Sequence, residues 1–404
     1  MKTKIYSLII LCAGLFFSGH TNAQCGLHYV DKIFTVDTTT VTYSAYDSTM
    51  DIYQPVGDTT SKRPLIVLAH EGTFITGNKS SDPTVVRLCN NFAARGYVVA
   101  SINYRLIQSL IDFADSTNVI TEVIQALSDG KAAVRYFSKD AATNNIYRID
   151  TNKMFIGGNS AGAVLAMHYG YIDSVGQVPP YLQAIINANG GLEGNSGNAG
   201  YTSKVAGVIS CAGGLNNAAW VTPGDVPSFN AQGTADDVVP YYCANAEGGA
   251  IMVRLCGLGS LQPYYTSAGI NESSLLFPGA PHVPWDTSAS MFYAVDSALD
   301  MFLSAHFVTP DSICVQTTGI NNVTSGAKVN LYPNPATDQV NLRSSVAVTS
   351  ITICDETGRQ VRFIGNLNNL VYQINTTDLS KGVYFVKLEV GSNMVPLVKR
   401  VVLE

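Results

Sequence analysis

Residues 153–167 read KMFIGGNSAGAVLAM, in which two short apolar runs are separated by a Gly-x-Ser-x-Gly pattern. The pattern predicts a buried strand, a sharp turn with Ser160 at its apex, and a helix. Gly158 and Gly162 flank the serine because side chains there would clash where the strand and the helix cross. Ser160 would then lie at a helix N-terminus, where free backbone N–H groups stabilise negative charge. Ser160 is therefore a candidate nucleophile, and the alternative is an incidental serine in a Gly-rich loop.

The segments on both sides of this stretch alternate between continuous apolar runs and helix-like patterns. Such runs are typical of strands buried on both faces, and the alternation predicts a doubly wound, mostly parallel α/β sheet with its site at the carboxyl ends of the strands. Residues 24–56 alternate with period two, which predicts an antiparallel edge ribbon. Residues 177–204 lack periodicity and predict an insertion over the site. The predicted strands are residues 64–69, 97–102, 205–210, 226–231 and 273–277, and the predicted helices are residues 85–95, 118–137 and 288–305.

A nucleophilic serine needs a histidine to accept its proton, and that histidine needs a carboxylate to fix its tautomer. Three histidines follow Ser160 in the chain. His168 falls within the helix that follows the serine, and His306 ends a later helix. His282 lies in a loop, residues 279–285, just after a predicted strand, so it is the candidate base. The alternative for His282 is a hydrogen-bonded surface histidine.

The candidate acid must come between the serine and the histidine in this kind of fold. Asp236 and Asp237 directly follow a predicted strand that ends at a turn, residues 233–235. Asp236 is the first carboxylate after the turn and can point back across the sheet, so we expect it to orient His282. Asp237 is expected to cap the segment that follows.

An oxygen that becomes negative during acyl transfer needs a second N–H donor besides that of Ala161. The segment HEGTFITG, residues 70–77, follows a predicted buried strand and supplies a loop for this purpose. Gly72 lets the backbone approach closely, so the N–H groups of Gly72 and Thr73 are the candidates. Three aromatic residues are candidates for lining a substrate pocket, with ordinary core packing as the alternative: Phe74, Trp220 and Trp285.

The chain has 404 residues and a formal net charge of -6, which gives no electrostatic reason to expect nucleic acid or an anionic membrane as partner. Residues 1–23 combine lysines, a short apolar run and a small residue at Ala23, which predicts a secretory signal peptide. That run is too short to span a bilayer, and no other stretch resembles a transmembrane helix. Secretion through the periplasm, to the medium or the cell surface, is therefore expected.

Cysteine usage and composition indicate how the rest of the chain is organised into domains. One of the eight cysteines lies in the predicted signal peptide, which leaves an odd number, and Cys243 with Cys256 is a candidate disulfide. None has the spacing of zinc ligands, so no metal site is predicted. The texture changes after His306 to polar residues and then to short alternating runs. We therefore predict a catalytic domain over residues 24–308, a linker over residues 309–327 and a small all-β sandwich domain over residues 328–404.

Four motifs, in their order along the chain, resemble those of the α/β-hydrolase carboxylesterases, and the resemblance covers roughly residues 35 to 305. Residues 70–77 are similar to that family's His-Gly-Gly-Gly loop, and the serine turn is similar to its Gly-x-Ser-Ala-Gly elbow. The other two are Asn103-Tyr104-Arg105 and the acid turn at residues 233–236. Glu71 and Thr73 replace two glycines of the loop. The resemblance implies hydrolysis of a small or polymer-linked carboxylic ester by Ser160, His282 and Asp236 through an acyl-enzyme, with no cofactor.

The tail resembles the C-terminal sorting domains of the type IX secretion system of Bacteroidetes. The matching segments are LYPNPATD at residues 331–338, DETGR at 355–359, LSKGVY at 379–384 and KRVV at 399–402. This resemblance implies that the secretion machinery is the partner of the C-terminal domain. A carbohydrate-binding sandwich is the alternative, but the tail lacks the aromatic platform that such a domain needs.

Two other functions stay open from the sequence. A peptidase of the prolyl-oligopeptidase type would use the same fold and the same three residues. A non-catalytic surface binding protein would keep the scaffold without the chemistry. Cleavage of esters but not of peptide amides, and labelling of Ser160 by a fluorophosphonate, distinguish the three.

Overall fold

The strand that ends just before Ser160 lies inside an eight-stranded mixed sheet, in a computed structural model of the chain. The structure describes residues 23–109, 115–309, 311–316, 329–355, 359–365, 367–390 and 397–404. The chain divides into two compact units between residues 317 and 318. The predicted signal peptide, apart from Ala23, lies outside the described residues.

The first unit alternates strands and helices along the chain. Its strands are β1 (Ala23–Leu27), β2 (Thr35–Thr42), β3 (Thr49–Val56), β4 (Arg63–Ala69), β5 (Val98–Ile102), β6 (Ile149–Asn159), β7 (Gly207–Cys211), β8 (Ser228–Gly233), β9 (Ala244–Asn245), β10 (Arg254–Leu255), β11 (Glu272–Phe277) and β12 (Ser312–Gln316). Its helices are α1 (Pro83–Arg95), α2 (Ser116–Ala142), α3 (Ala161–Tyr171), α4 (Pro180–Ala188), α5 (Leu258–Ala268) and α6 (Ala289–His306).

The large sheet has the strand order β11-β8-β7-β6-β4-β5-β3-β2. The strands from β11 to β5 are parallel, and the ribbon of β2 and β3 is antiparallel at one edge. The predicted doubly wound, mostly parallel α/β fold is therefore confirmed. The carboxyl ends of β4, β6 and β8 meet at one edge of the sheet, where the sequence predicts the site.

Helices cover both faces of the sheet because its central strands are apolar on both sides. Every residue of β4 is buried. Leu65 and Val67 pack in one core cluster with α2 and α3, whereas Ile66 and Leu68 pack in another with α1 and α6. Burying a side chain of this kind stabilises the fold by about 1.5–3 kcal/mol.

Three features of the first unit differ from the sequence expectation. Residues 177–204, predicted as an irregular insertion, contain helix α4. Helix α5 and the short ribbon of β9 and β10 were not predicted. Residues 312–316 of the predicted linker form β12, which pairs antiparallel with β1. The remainder of that linker, residues 317–327, lies outside the described residues.

The second unit is an antiparallel β region with its own core. Its strands are β13 (Val329–Tyr332), β14 (Gln339–Asp355), β15 (Gln360–Ile364), β16 (Asn369–Asn375), β17 (Gly382–Val390) and β18 (Leu397–Leu403). The long strand β14 pairs with β13 and β16 along its first half and with β15 and β17 along its second half. Buried Leu342, Ile351 and Leu388 belong to the core of this unit.

We predict that a chain ending at residue 327 keeps the thermal unfolding transition of the first unit. Each unit buries its own apolar core, so removing one should leave the other folded. Calorimetry of the full and shortened chains measures this. A chain ending at residue 308 is the matched control, because it also removes β12 and should unfold at a lower temperature. A lowered transition in the chain ending at 327 would contradict the prediction.

Candidate active site

Ser160 lies at a backbone turn that only close packing can hold. Its φ and ψ are 52° and -116°, a strained conformation for a residue with a side chain. A Cβ on Gly162 would lie 2.0 Å from the carbonyl oxygen of Ala69, and one on Gly158 would lie 2.4 Å from the carbonyl carbon of Gly162. The Ser160 N–H donates to the Cys211 carbonyl at 2.8 Å, which ties the turn to β7. The two glycines therefore have the role that the sequence predicts, because the crossing leaves no room for side chains.

Ser160, His282 and Asp236 form a continuous hydrogen-bonded chain. The Nε2 atom of His282 lies 2.7 Å from the Oγ of Ser160, and its Nδ1 lies 2.8 Å from Oδ2 of Asp236. Asp236 is only 5% exposed. Its other oxygen accepts the N–H groups of Val238 and Val239 at 3.1 and 3.0 Å, which fixes the carboxylate. His282 thus lies within hydrogen-bonding distance of both of the other residues selected from the sequence.

Asp237 points elsewhere. Its side chain is exposed, whereas that of its neighbour Asp236 is buried. The acid turn is held to the histidine loop by main-chain contacts, because the Ala235 N–H donates to the Ala280 carbonyl at 3.0 Å. This contact determines which of the two aspartates faces His282.

The loop after β4 runs through three consecutive residues with left-handed backbone. Gly72, Thr73 and Phe74 have φ values of 119°, 54° and 59°. A Cβ on Gly72 would lie 2.1 Å from the Thr76 carbonyl oxygen, so this position requires glycine. The turn is closed by the N–H groups of Ile75 and Thr76, which donate to the Gly72 carbonyl at 2.9 and 3.0 Å.

Three N–H groups were selected from the sequence as oxyanion donors, those of Gly72, Thr73 and Ala161. None of them donates to any atom in the described ranges. Thr73, Ser160 and Ala161 line the same pocket. Gly72 is not among the residues that line it. The pair of free donors beside the serine is what a developing oxyanion requires.

The Asn103-Tyr104-Arg105 motif supports this loop from below. The Tyr104 hydroxyl donates to the His70 carbonyl at 2.8 Å, and the two rings stack with centroids 4.3 Å apart. Arg105 donates to the fully buried carboxylate of Asp129 on α2 at 2.9 Å. The sequence marked the motif only through its resemblance, and the structure shows that it anchors the loop.

The pocket beside Ser160 has a cavity volume of about 80 Å³ and opens to solvent. Phe74 and Trp220 line it, as the sequence suggested. Trp285 does not. It is fully buried beneath the elbow, and its indole N–H donates to the Asn159 side-chain oxygen at 3.1 Å. Most of the other lining side chains are apolar and come from α2, α4 and the segment between Cys243 and Cys256, including Val119, Ile124, Leu182, Ile251, Val253 and Leu255.

Sequence reasoning missed these walls for two reasons. The α2 residues show only the pattern of an ordinary buried helix face. The segment 244–255 follows no regular period, and it is closed by the Cys243–Cys256 disulfide that the sequence offered as a candidate. The disulfide was the signal that could have marked this segment as a defined loop. Its Glu247 accepts a hydrogen bond from the Thr73 hydroxyl at 3.0 Å.

His168 also lines the pocket but is a structural residue. Its Nδ1 lies 2.8 Å from the Val164 carbonyl, and its Nε2 accepts the Asn216 N–H at 3.3 Å. Burial lowers the pKa of His168 to about 4, so its ring is neutral at ordinary pH. Within the described ranges, no group of three or more His, Cys, Asp or Glu side chains is arranged to hold a metal ion.

Two family models match separate parts of the chain. Residues 50–216 match the family model BD-FAE, and residues 330–404 match the model of the secretion system C-terminal sorting domain. The chain contains an esterase-type α/β-hydrolase domain followed by a type IX sorting domain. The sorting domain indicates type IX secretion to the cell surface or the extracellular space. None of the helices in the described ranges has the length and apolarity that a bilayer crossing requires.

Solved structures show the same fold in distant relatives. Thermogutta terrifontis esterase 2 phosphonylated by sarin is 19% identical, with a TM-score of 0.50, covering 68% of this chain and 97% of its own. The same esterase phosphoramylated by tabun is 18% identical, with a TM-score of 0.50 and the same coverage of 68% and 97%. No curated protein matches the chain.

Proposed function

We propose that the protein is a secreted serine hydrolase that cleaves carboxylic esters through a Ser160-His282-Asp236 triad. The observation that carries the proposal is the unbroken contact from Ser160 Oγ to His282 Nε2, at 2.7 Å, and from His282 Nδ1 to Asp236, at 2.8 Å. These are the distances over which a proton transfers between a nucleophile and its base. The esterase-type domain supports the reaction class.

In the first half of the reaction, Ser160 Oγ attacks the ester carbonyl carbon while His282 Nε2 accepts the serine proton. Asp236 accepts the hydrogen bond from His282 Nδ1–H and stabilises the imidazolium. The N–H groups of Ala161 and Thr73 donate to the oxyanion of the tetrahedral intermediate, and Gly72 shapes the loop that carries the second donor. The imidazolium then gives its proton to the leaving alcohol, and an acyl-enzyme remains on Ser160.

In the second half, water takes the place of the alcohol. His282 accepts a proton from the water as its oxygen attacks the acyl carbonyl, and returns the proton to Ser160 Oγ as the acid leaves. Every proton is received and returned by groups of the chain, so the cycle as proposed uses no cofactor.

The lining of the pocket favours an ester substrate that carries an apolar group. Apart from Thr73, Asn216, Glu247 and a few other polar residues, its walls are aliphatic and aromatic. Such walls favour burial of a hydrocarbon or aryl group of the substrate, in either its acyl part or its alcohol part.

We predict that Ser160→Ala lowers kcat for a p-nitrophenyl ester by a factor on the order of 10⁴ or more, with the fold retained. The reason is that, among the described residues, Ser160 is the only hydroxyl or thiol that is hydrogen-bonded to the His282 ring. An alkyl fluorophosphonate, chosen because the neighbouring structures are organophosphorus adducts of an esterase, should label the native chain and not the variant.

Peptide amides of matched acyl groups are the control for the reaction class. Comparable turnover of amides would favour the peptidase alternative. Absence of both turnover and labelling in a folded, native chain would favour the non-catalytic alternative.

We also predict that Asp236→Asn reduces kcat/KM by about 10⁴, whereas Asp237→Asn leaves it nearly unchanged. Only Asp236 contacts His282, and the amide would stabilise the wrong tautomer of the imidazole. Asp237→Asn is a matched control, since the same chemical change occurs one residue away on an exposed side chain. Equal losses in the two variants would contradict the assignment of the acid.

A further inference from the structure

Three carboxyl groups converge on Asn159, the last residue of β6. Glu71 belongs to the oxyanion loop, Asp82 caps the N-terminus of α1, and Asp286 follows His282 by four residues. No lysine or arginine of the described ranges forms an ion pair with any of them. Asp82 is buried and Glu71 and Asp286 are half-buried, so three negative charges without a cation would be costly there, and a proton held between two of them would lower that cost.

Asn159 joins the loops of the site at this cluster. Its side-chain nitrogen lies 3.3 Å from Glu71 Oε2 and 3.4 Å from Asp286 Oδ1. The indole N–H of Trp285 donates to the other end of the amide, which fixes the amide orientation. Asn159 is fully buried and immediately precedes Ser160. One amide therefore connects the serine turn, the oxyanion loop and the histidine loop.

The three carboxyl groups differ in their donors. Burial raises the pKa of Asp82, and the hydrogen bonds that it accepts from the N–H groups of Val85 and Glu71, both at 3.0 Å, partly offset this. Asp286 accepts the Thr84 hydroxyl at 2.5 Å. The Glu71 carboxyl accepts a long hydrogen bond from Asn159 and is itself hydrogen-bonded to the carboxyl of Asp286. Burial, together with the charges of Asp82 and Asp286, raises the pKa of Glu71 to about 8.

We propose that Glu71 is a positioning residue that shares one proton with Asp286, and that this carboxyl pair, bridged by Asn159, holds the oxyanion loop and the histidine loop against the serine turn. The proposal rests on the ester-hydrolase function proposed above. Glu71 stands where the similar carboxylesterases have a glycine, so this contact is a property of this chain.

The groups that face the pair come from each neighbouring element. They are Asp82 and Thr84 from the start of α1, Asn159 from the end of β6, and Trp285 from the histidine loop. His70, next to Glu71, is neutral because burial lowers its pKa. None of these groups supplies a positive charge. The shared proton therefore neutralises one of the two carboxyl groups of the pair.

Losing the proton should loosen the site. Once the pH rises above about 8, both carboxylates are charged and repel one another through Asn159. The free energy of unfolding should also fall as the pH rises from about 4.5 to about 8, because over that range the folded chain retains a proton that the unfolded chain has released. Activity should therefore decline on the alkaline side.

The test is the pH profile of kcat/KM for a p-nitrophenyl ester in the native chain and in Glu71→Gln. We expect the native profile to fall roughly tenfold per pH unit above the pKa of the pair, and the variant profile to stay level, because a glutamine donates to Asp286 at every pH. Glu272→Gln is the matched control. Glu272 is also a carboxyl whose pKa is raised by burial, but it lies at the start of β11, at the opposite end of the sheet.

If Glu71 had only a structural role, Glu71→Gln would change the stability of the chain, as Glu272→Gln does. The shape of the pH profile of kcat/KM would then be unchanged in both variants. If Glu71→Gln retains the native alkaline decline, the proposal is wrong. Should that variant not fold, Asp286→Asn provides the second arm, because an asparagine donates to ionised Glu71 and should also abolish the decline.

An infrared measurement separates this proposal from the proposed function. The spectrum of the native chain minus that of Glu71→Gln at neutral pH should show the carbonyl stretch of a protonated carboxylic acid, and this difference band should vanish above about pH 8. That band, in a chain that hydrolyses no ester, would uphold the shared proton and reject the enzyme function. Ester hydrolysis without the band would do the reverse.

Discussion

The close approach of α3 to the end of β4 is the constraint on which the site depends. A Cβ on Gly162 would lie 2.0 Å from the Ala69 carbonyl oxygen, so the helix can begin only where no side chain intervenes. That crossing holds Ser160 at a φ of 52° and directs its hydroxyl away from the sheet. The strain, of order 1–3 kcal/mol, persists because β4, β6 and β7 are packed on both faces. Loss of that packing would relax the turn and remove the serine from His282.

Around this turn, three sets of polar contacts hold different parts of the site. The hydrogen bond of Asp236 acts on His282 directly, that of Tyr104 holds the oxyanion loop, and those of Asn159 join the loops behind the serine. The carboxyl groups near Asn159 are costly to bury, and the glycine of similar enzymes would avoid that cost. Their presence is consistent with a local exception to core packing of the kind that occurs at functional sites.

Much of the fold and the site was predictable from the sequence because the relevant signals are local. The continuous apolar runs of β4 and β5 identify buried parallel strands, and the glycines around Ser160 identify the turn. Asp236 could be separated from Asp237 by its place after a strand. The pocket walls and Trp285 could not be placed. Their positions depend on contacts between residues far apart in the chain, such as Trp285 with Asn159, and apolar residues at these positions resemble ordinary core. Helix α4 was missed because its short pattern lies among glycines and asparagines.

The proposed mechanism requires a covalent acyl group on Ser160. The most direct measurement is to quench steady-state turnover of a p-nitrophenyl ester with acid, digest the chain and locate the acyl group by peptide mass. The account predicts an acyl adduct on the peptide that contains Ser160, absent when His282 is replaced by alanine. Turnover that leaves no adduct on that peptide, or an adduct on another residue, would contradict it.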